Sequence, residues 1–191
     1  MSRPVCLPGR RSWLAGALLL GLIAQVAHGA EFRVLEGGVS LRDGVYRLDA
    51  RIRYEFSETA AEALASGVPL EVVLHIEVVE PRRFWFDATT AVLNQRYRLS
   101  YHALSGRYVL TELNTRESTT YRSMGAMLQA LGQVDGLPVI DRSLLEPDRR
   151  YLLRVQASLD LDSLPAPLRP MAYISPSWWL ASDWHTWRIG S

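Results

Sequence analysis

The stretch Tyr46-Arg47-Leu48-Asp49-Ala50-Arg51-Ile52-Arg53-Tyr54-Glu55-Phe56 alternates apolar and charged side chains without a break. Successive side chains of a β-strand point to opposite faces, so a period of two buries one face and wets the other. Tyr46, Leu48, Ala50, Ile52, Tyr54 and Phe56 thus predict the inner face of a long strand. Asp43-Gly44 stands just before it. A type I′ hairpin turn needs positive φ at both central residues, and Asp-Gly supplies that at low steric cost. Val39 and Leu41 are then placed on the partner strand.

The same pattern recurs along the chain. Leu70, Val72, Leu74, Ile76 and Val78 read as inward, with Glu71, His75 and Glu77 outward and Pro81 closing the run. A further hairpin is expected from Tyr97 to His102, turning near Ser105-Gly106 and returning through Tyr108 to Leu113. Tyr151, Leu153, Val155, Ala157, Leu159 and Leu161 alternate with Arg154, Gln156, Ser158 and Asp160 in a late strand. Two segments carry helical signals instead. Ser57 is a candidate N-cap for a helix over Glu58 to Ser66, with Gly67 ending it. A second helix is expected over residues 120–131, where Tyr121, Met124, Met127, Leu128 and Leu131 share a face and Gly132 ends it.

Strands outnumber helices, so the expected fold is mainly β: a two-sheet antiparallel sandwich of immunoglobulin-like architecture with two short helices. An α+β sheet covered by the 120–131 helix is the alternative. The Cys-Trp-Cys core of true immunoglobulin domains is missing, so the likeness is architectural.

Residues 1–30 read as an address. Arg3, Arg10 and Arg11 precede an apolar run from Trp13 to Ala27, followed by the small residues Ala27, Gly29 and Ala30. That order describes a secretory signal peptide, and the run is shorter than the roughly 20 residues that cross a bilayer. Residues 31–191 are then a single exported domain in the periplasm, with membrane attachment only through an uncleaved leader. Cys6, the one cysteine, lies in the leader. The exported part therefore has no disulfide, thiol nucleophile or thiolate metal ligand.

Composition excludes several classes. The 191 residues are 48% hydrophobic and 21% charged, with 21 basic side chains, all arginine, against 20 acidic. Such a balance fits a packed domain and disfavours a nucleic-acid partner. No Gly-x-Ser-x-Gly elbow or phosphate-cradling glycine loop occurs. His75 with Glu71 and Glu77 has the strand spacing of a cation site, but a solvated face is the plainer reading. Asp160 and Asp162 are spaced as paired carboxylates, but equally as strand-terminating residues. Arg47, Arg51 and Arg53, the pair Arg82-Arg83 and the pair Arg149-Arg150 suit anions, yet Asp49, Glu55, Glu80, Glu146 and Asp148 sit among them. No metal or cofactor is expected.

The tail is the most distinctive segment. Pro165, Pro167 and Pro170 predict an extended, stiff stretch over residues 164–170. Four of the six tryptophans follow, at 178, 179, 184 and 187. Large aromatic area with one N–H donor suits both core and interface.

Leu164, Pro165, Pro167, Leu168, Arg169, Pro170, Ala172, Tyr173, Ser175, Trp178, Leu180, Ser182, Trp184 and Trp187 carry a resemblance to the proteobacterial domain-of-unknown-function family 4390. The resemblance implies an exported protein, supplies no catalytic residues, and points to an envelope-signalling partner such as a membrane sensor kinase. The expected function is thus a non-catalytic periplasmic binding or interaction module of a Gram-negative cell envelope. Its expected contact surface is Tyr173, Trp178, Trp179, Trp184 and Trp187, with Arg82 and Arg83. Two other readings remain. A lipid- or glycan-binding carrier would show an apolar cavity between the sheets with arginines at its mouth. An envelope hydrolase would use Asp160, Asp162 or His75 as acid and base.

Overall fold

A computed structural model describes residues 31–82 and 87–190. The expected leader and Arg83 lie outside the described residues. Among the described residues nine strands form two antiparallel sheets. β1 (Phe32–Arg42), β2 (Val45–Tyr54) and β7 (Gln133–Asp141) make the smaller, in that order. The larger follows the order β6 (Ser118–Tyr121), β5 (Arg107–Glu112), β4 (Ala88–His102), β3 (Leu70–Glu80), β8 (Tyr151–Leu159), β9 (His185–Ile189). The mainly-β, two-sheet reading is therefore correct.

The opening hairpin forms as the sequence requires. Asp43 has φ 51° and Gly44 φ 79°. The register sets Leu41 opposite Tyr46 and Val39 opposite Leu48. Leu48, Ala50, Ile52 and Tyr54 are buried, and Tyr46 and Phe56 pack partly against the core. Across the core, Leu70, Val72, Leu74, Ile76 and Val78 of β3 are at most 1% exposed. They share a face with Leu153, Val155, Ala157 and Leu159 of β8. Each fully buried aliphatic chain of this kind stabilises by about 1.5–3 kcal/mol relative to exposure.

Three helices accompany the strands: α1 (Glu58–Ala65), α2 (Met124–Leu131) and α3 (Arg169–Ile174). Ser57 caps α1 by accepting from the Ala60 amide at 3.1 Å. The second helix is shorter than the sequence suggests. Residues 118–121 pair with β5 as a strand, so Tyr121 belongs to the sheet, and Ser123 caps α2 through the Ala126 amide. The threonines and tyrosine of this stretch favour pleated backbone once an edge is offered. α2 touches β2 and β7 of one sheet and β5 and β6 of the other. It bridges the two layers rather than covering one, which sets aside the α+β alternative.

Strands β6, β7 and β9 carry weak sequence signals. β7 contains Gly136 and Pro138 and pairs with β2 through two register shifts. The proline stretch also differs from expectation. The Leu168 amide donates to Pro165 O at 2.9 Å, and Arg169 and Pro170 open α3. Proline fits the first helical turn because the amide it lacks has no partner there.

The inner face carries a polar group of its own. Gln95 of β4 is 4% exposed and donates to Glu112, which stands opposite Tyr97. Burial, then the Glu112 charge, pushes the Tyr97 phenol up to about 12. Tyr54 is buried, and among the described residues its hydroxyl has no partner; burial raises its pKa as well. Both phenols are held neutral by the fold, whereas in the unfolded chain they ionise near pH 10. Between about pH 10 and 12 the unfolded state therefore releases protons first, and stability falls as pH rises. The urea midpoint is expected to drop from pH 9 to pH 11, with a shallower drop in Tyr97→Phe; equal slopes would remove this assignment.

Gly132 shows how closely the end of α2 meets β2. The Ile52 amide donates to Gly132 O at 2.8 Å, and a Cβ on Gly132 would lie 2.0 Å from Ile52 O. Gly132→Ala is expected to destabilise by about 1–3 kcal/mol through overpacking, read as a lowered Tm.

Candidate functional site

Outward residues of three neighbouring strands meet the start of the tail in a groove of about 580 Å³. β3 contributes Val73 and His75, β4 Asn94 and Arg96, and β8 Ser158. The turn at Leu161–Ser163 adds Asp162, and α3 adds Tyr173. The antiparallel register does the assembling, with His75 opposite Asn94 and Gln156, and Val73 opposite Arg96 and Ser158.

The groove is held by paired polar groups. Glu71, outward in the pattern, is 8% exposed. The expected solvated face is thus partly covered. Arg98 meets the Glu71 carboxylate through Nε at 3.0 Å and Nη2 at 2.8 Å. Arg96 lies 3.7 Å from the same carboxylate and pairs also with Asp160. Two cations thus compensate a nearly buried acid, which alone would be costly. The Asp160 amide donates to Glu71 O at 2.8 Å, pinning the strand end. Asp160 Oδ1 accepts from the Asp162 amide at 3.0 Å, and Asp162 Oδ1 accepts from the Tyr173 hydroxyl at 2.5 Å. That hydrogen bond, more than any burial, raises the Tyr173 pKa. Asp160 and Asp162 therefore terminate a strand and cap a turn instead of forming a carboxylate dyad.

His75 is likewise not part of a cation site. Its Nδ1 lies 3.0 Å from Asn94 Oδ1 and its Nε2 3.0 Å from Ser158 Oγ. Glu71 is taken by arginines, and Glu77 lies 3.8 Å from Arg154. Among the described residues no three His, Cys, Asp or Glu side chains are grouped to hold a metal.

The Asn94–His75–Ser158 chain has the connectivity of orienter, base and nucleophile, which the sequence scan missed because the three residues lie on different strands. Acyl transfer also needs N–H donors aimed at a developing oxyanion, each worth roughly 10²–10³ in rate. The backbone amides beside Ser158 are committed: Leu159 to Leu180 O, Asp160 to Glu71 O, and Ala157 to Ser182 Oγ. Arg96, the cation lining this groove, is spent on two acids. Asn94, His75 and Ser158 thus stand as a hydrogen-bonded row on the groove floor.

The tail aromatics separate into four environments. Trp178 is 6% exposed and joins the core where its turn meets α1, with Ser57 Oγ donating to Ser177 O at 2.6 Å. Trp187 is partly buried over Gly37, where a Cβ would come 2.9 Å from its ring, and His185 packs on it at 4.4 Å. Trp184 lies 4.9 Å beneath the Arg154 guanidinium, a cation–π contact on the outer face. Tyr173 and Trp179 are exposed, at 51% and 59%, beside Met171 and Ile174. Trp179 Nε1 donates to Ala172 O at 3.2 Å, which holds the ring against α3. Arg82 is exposed just beyond the Glu80 end of β3, whereas the Asp160 turn is fastened at Glu71 near the other end. The structure does not bring Arg82 to Tyr173.

A two-layer β protein with a polar groove walled by its own C-terminal segment is thus defined. The chain belongs to the family described as a domain of unknown function, DUF4390, whose model matches residues 29–188. No curated protein and no solved structure matches it significantly.

Burial divides the adjacent tryptophans. Trp178→Ala is expected to cost about 3–5 kcal/mol, and Trp179→Ala about 1 kcal/mol or less. Paired denaturant melts check this, and similar losses would mean the two rings share one environment.

Proposed function

We propose that the protein is an exported, non-catalytic binding module of a Gram-negative cell envelope, docking on an envelope protein of the membrane-signalling kind. One observation carries the reading. Met171, Tyr173, Ile174 and Trp179 remain 51–74% exposed on a short helix and turn that are anchored on both sides. Adjacent exposed aromatic and aliphatic side chains on a rigid support are the composition of a partner surface. The charge-ordered leader and the absence of cysteine after residue 6 support the compartment. Among the described residues no helix is long and apolar enough to cross a membrane. Of the residues expected from sequence, Trp178 and Trp187 serve packing, and Tyr173, Trp179 and Trp184 remain as the contact set.

A second reading, glycan binding, is favoured by the groove itself. His75, Asn94 and Ser158 present polar groups on strands, and Tyr173 offers a ring for stacking. Its volume falls within the roughly 300–1,000 Å³ of small-molecule sites.

A photocrosslinking residue at Ile174, used in intact cells with subsequent fractionation, is expected to yield a defined envelope adduct. The same residue at Thr119, on the distant edge strand, should yield none. Trp179→Ala with Trp184→Ala should diminish the Ile174 adduct at unchanged protein level. Absence of an adduct at Ile174, or its persistence in the double variant, would reject this surface.

A further inference from the structure

The outermost strand of each sheet, β1 and β9, run close together, and near the Asp43-Gly44 turn the seam between them opens. Two adjoining cavities of about 380 and 770 Å³ share Tyr46, Arg142 and Gly190. The smaller is lined by Val39, Leu41, Tyr46, Arg142, Arg188 and Gly190. Its apolar wall comes from the inner side of β1, whose Val39 and Leu41 share a face with buried Leu48. Among the described residues its charged groups are two arginines, and no carboxylate lines it.

The acids nearby are already engaged. Asp141 accepts from the Ser143 amide at 2.8 Å and the Ser143 hydroxyl at 2.7 Å. Arg149 holds Glu146 at 2.9 Å and Glu80 at 2.5 Å. Arg142 and Arg188 form no ion pair among the described residues. Two arginines lining one cavity with Val39 and Leu41, the latter 43% exposed, ask for one kind of ligand. The oxyanion meets the arginines in charge-assisted hydrogen bonds, and the hydrocarbon meets Val39 and Leu41.

We propose that this seam is a binding site for an anionic amphiphile, a phosphate or carboxylate head on an apolar chain. The site is separate from the tail surface and stands or falls independently of it. It also has the form, cavity between sheets and arginines at the mouth, that a carrier of lipid requires.

The test is calorimetric titration of the envelope-purified protein with dodecyl phosphate below its micellar concentration, inorganic phosphate, and dodecyl maltoside as the neutral chain. Dodecyl phosphate is expected to bind at least tenfold more tightly than either comparator. Arg142→Gln with Arg188→Gln should weaken it at least tenfold at unchanged Tm, since both side chains are exposed. Leu41→Glu, which sets a carboxylate on the wall, should weaken it independently. Flotation with phosphatidylcholine vesicles, with and without phosphatidylglycerol, then separates the sources. Arginine-dependent flotation only with the anionic vesicles assigns the head to a bilayer lipid, and none assigns it to a monomeric ligand. No binding of dodecyl phosphate at millimolar concentration, equal binding by the double arginine variant, equal binding of the neutral chain, or inorganic phosphate binding as tightly, would each overturn the proposal.

Discussion

Strand β3 is fully covered on one face and half-covered on the other. It pairs with β4 along one edge and β8 along the other, and its even-numbered residues face the smaller sheet. On the opposite face Val73 and Val79 are 5% and 1% exposed, whereas His75 and Glu77 are half-buried. A strand so largely enclosed must satisfy the polar groups it carries. Glu71 and His75 are those groups, and the surroundings of both follow from that need.

Glu71 draws Arg98 and Arg96 onto itself, and Arg96 reaches on to Asp160. Asp160 ends β8 and starts the turn that leads into α3. The compensation of one buried acid therefore sets where the tail leaves the sheet, and with it where Tyr173 stands. His75 is satisfied sideways by Asn94 and Ser158, making a row of hydrogen-bonded side chains along the groove floor. The groove is thus a by-product of electrostatic housekeeping around β3, on strands rigid enough to hold side chains in place. Tyr173 and Trp179 beyond it leave about half of their surface exposed, which is why they, rather than the hydrogen-bonded triad, carry the functional reading.

The two surfaces differ in kind. The α3 region offers apolar area with few charges. The β1–β9 seam offers arginines over aliphatic side chains at an opening between layers. A β-sandwich with unequal sheets leaves such openings at its ends and edges, because three strands cannot cover six. Exposure at the α3 surface and at the seam is therefore a matter of architecture as well as of residue choice.

Much of the fold was legible in the chain itself. Strict alternation from Tyr46 to Tyr54 and along β3 and β8 specified strands and their inner faces, because a slip of one residue would turn every apolar side chain outward. Asp43-Gly44 specified the first turn, because both positions need positive φ. The tail signature pointed to the family that the full match over residues 29–188 shows. Other features depended on tertiary pairing. β6 and β9 are short, and β7 is interrupted by glycine and proline, so each becomes a strand only where a partner edge is offered. Whether a tryptophan is core or surface is equally undecided by residue type: Trp178 and Trp179 are neighbours in sequence, yet one fills the core beside α1 and the other faces out. Local sequence dictates period and turn, which are short-range properties of the backbone. The groove, the seam and the fate of each aromatic are set by contacts between residues far apart in the chain, and only the packed layers bring those together.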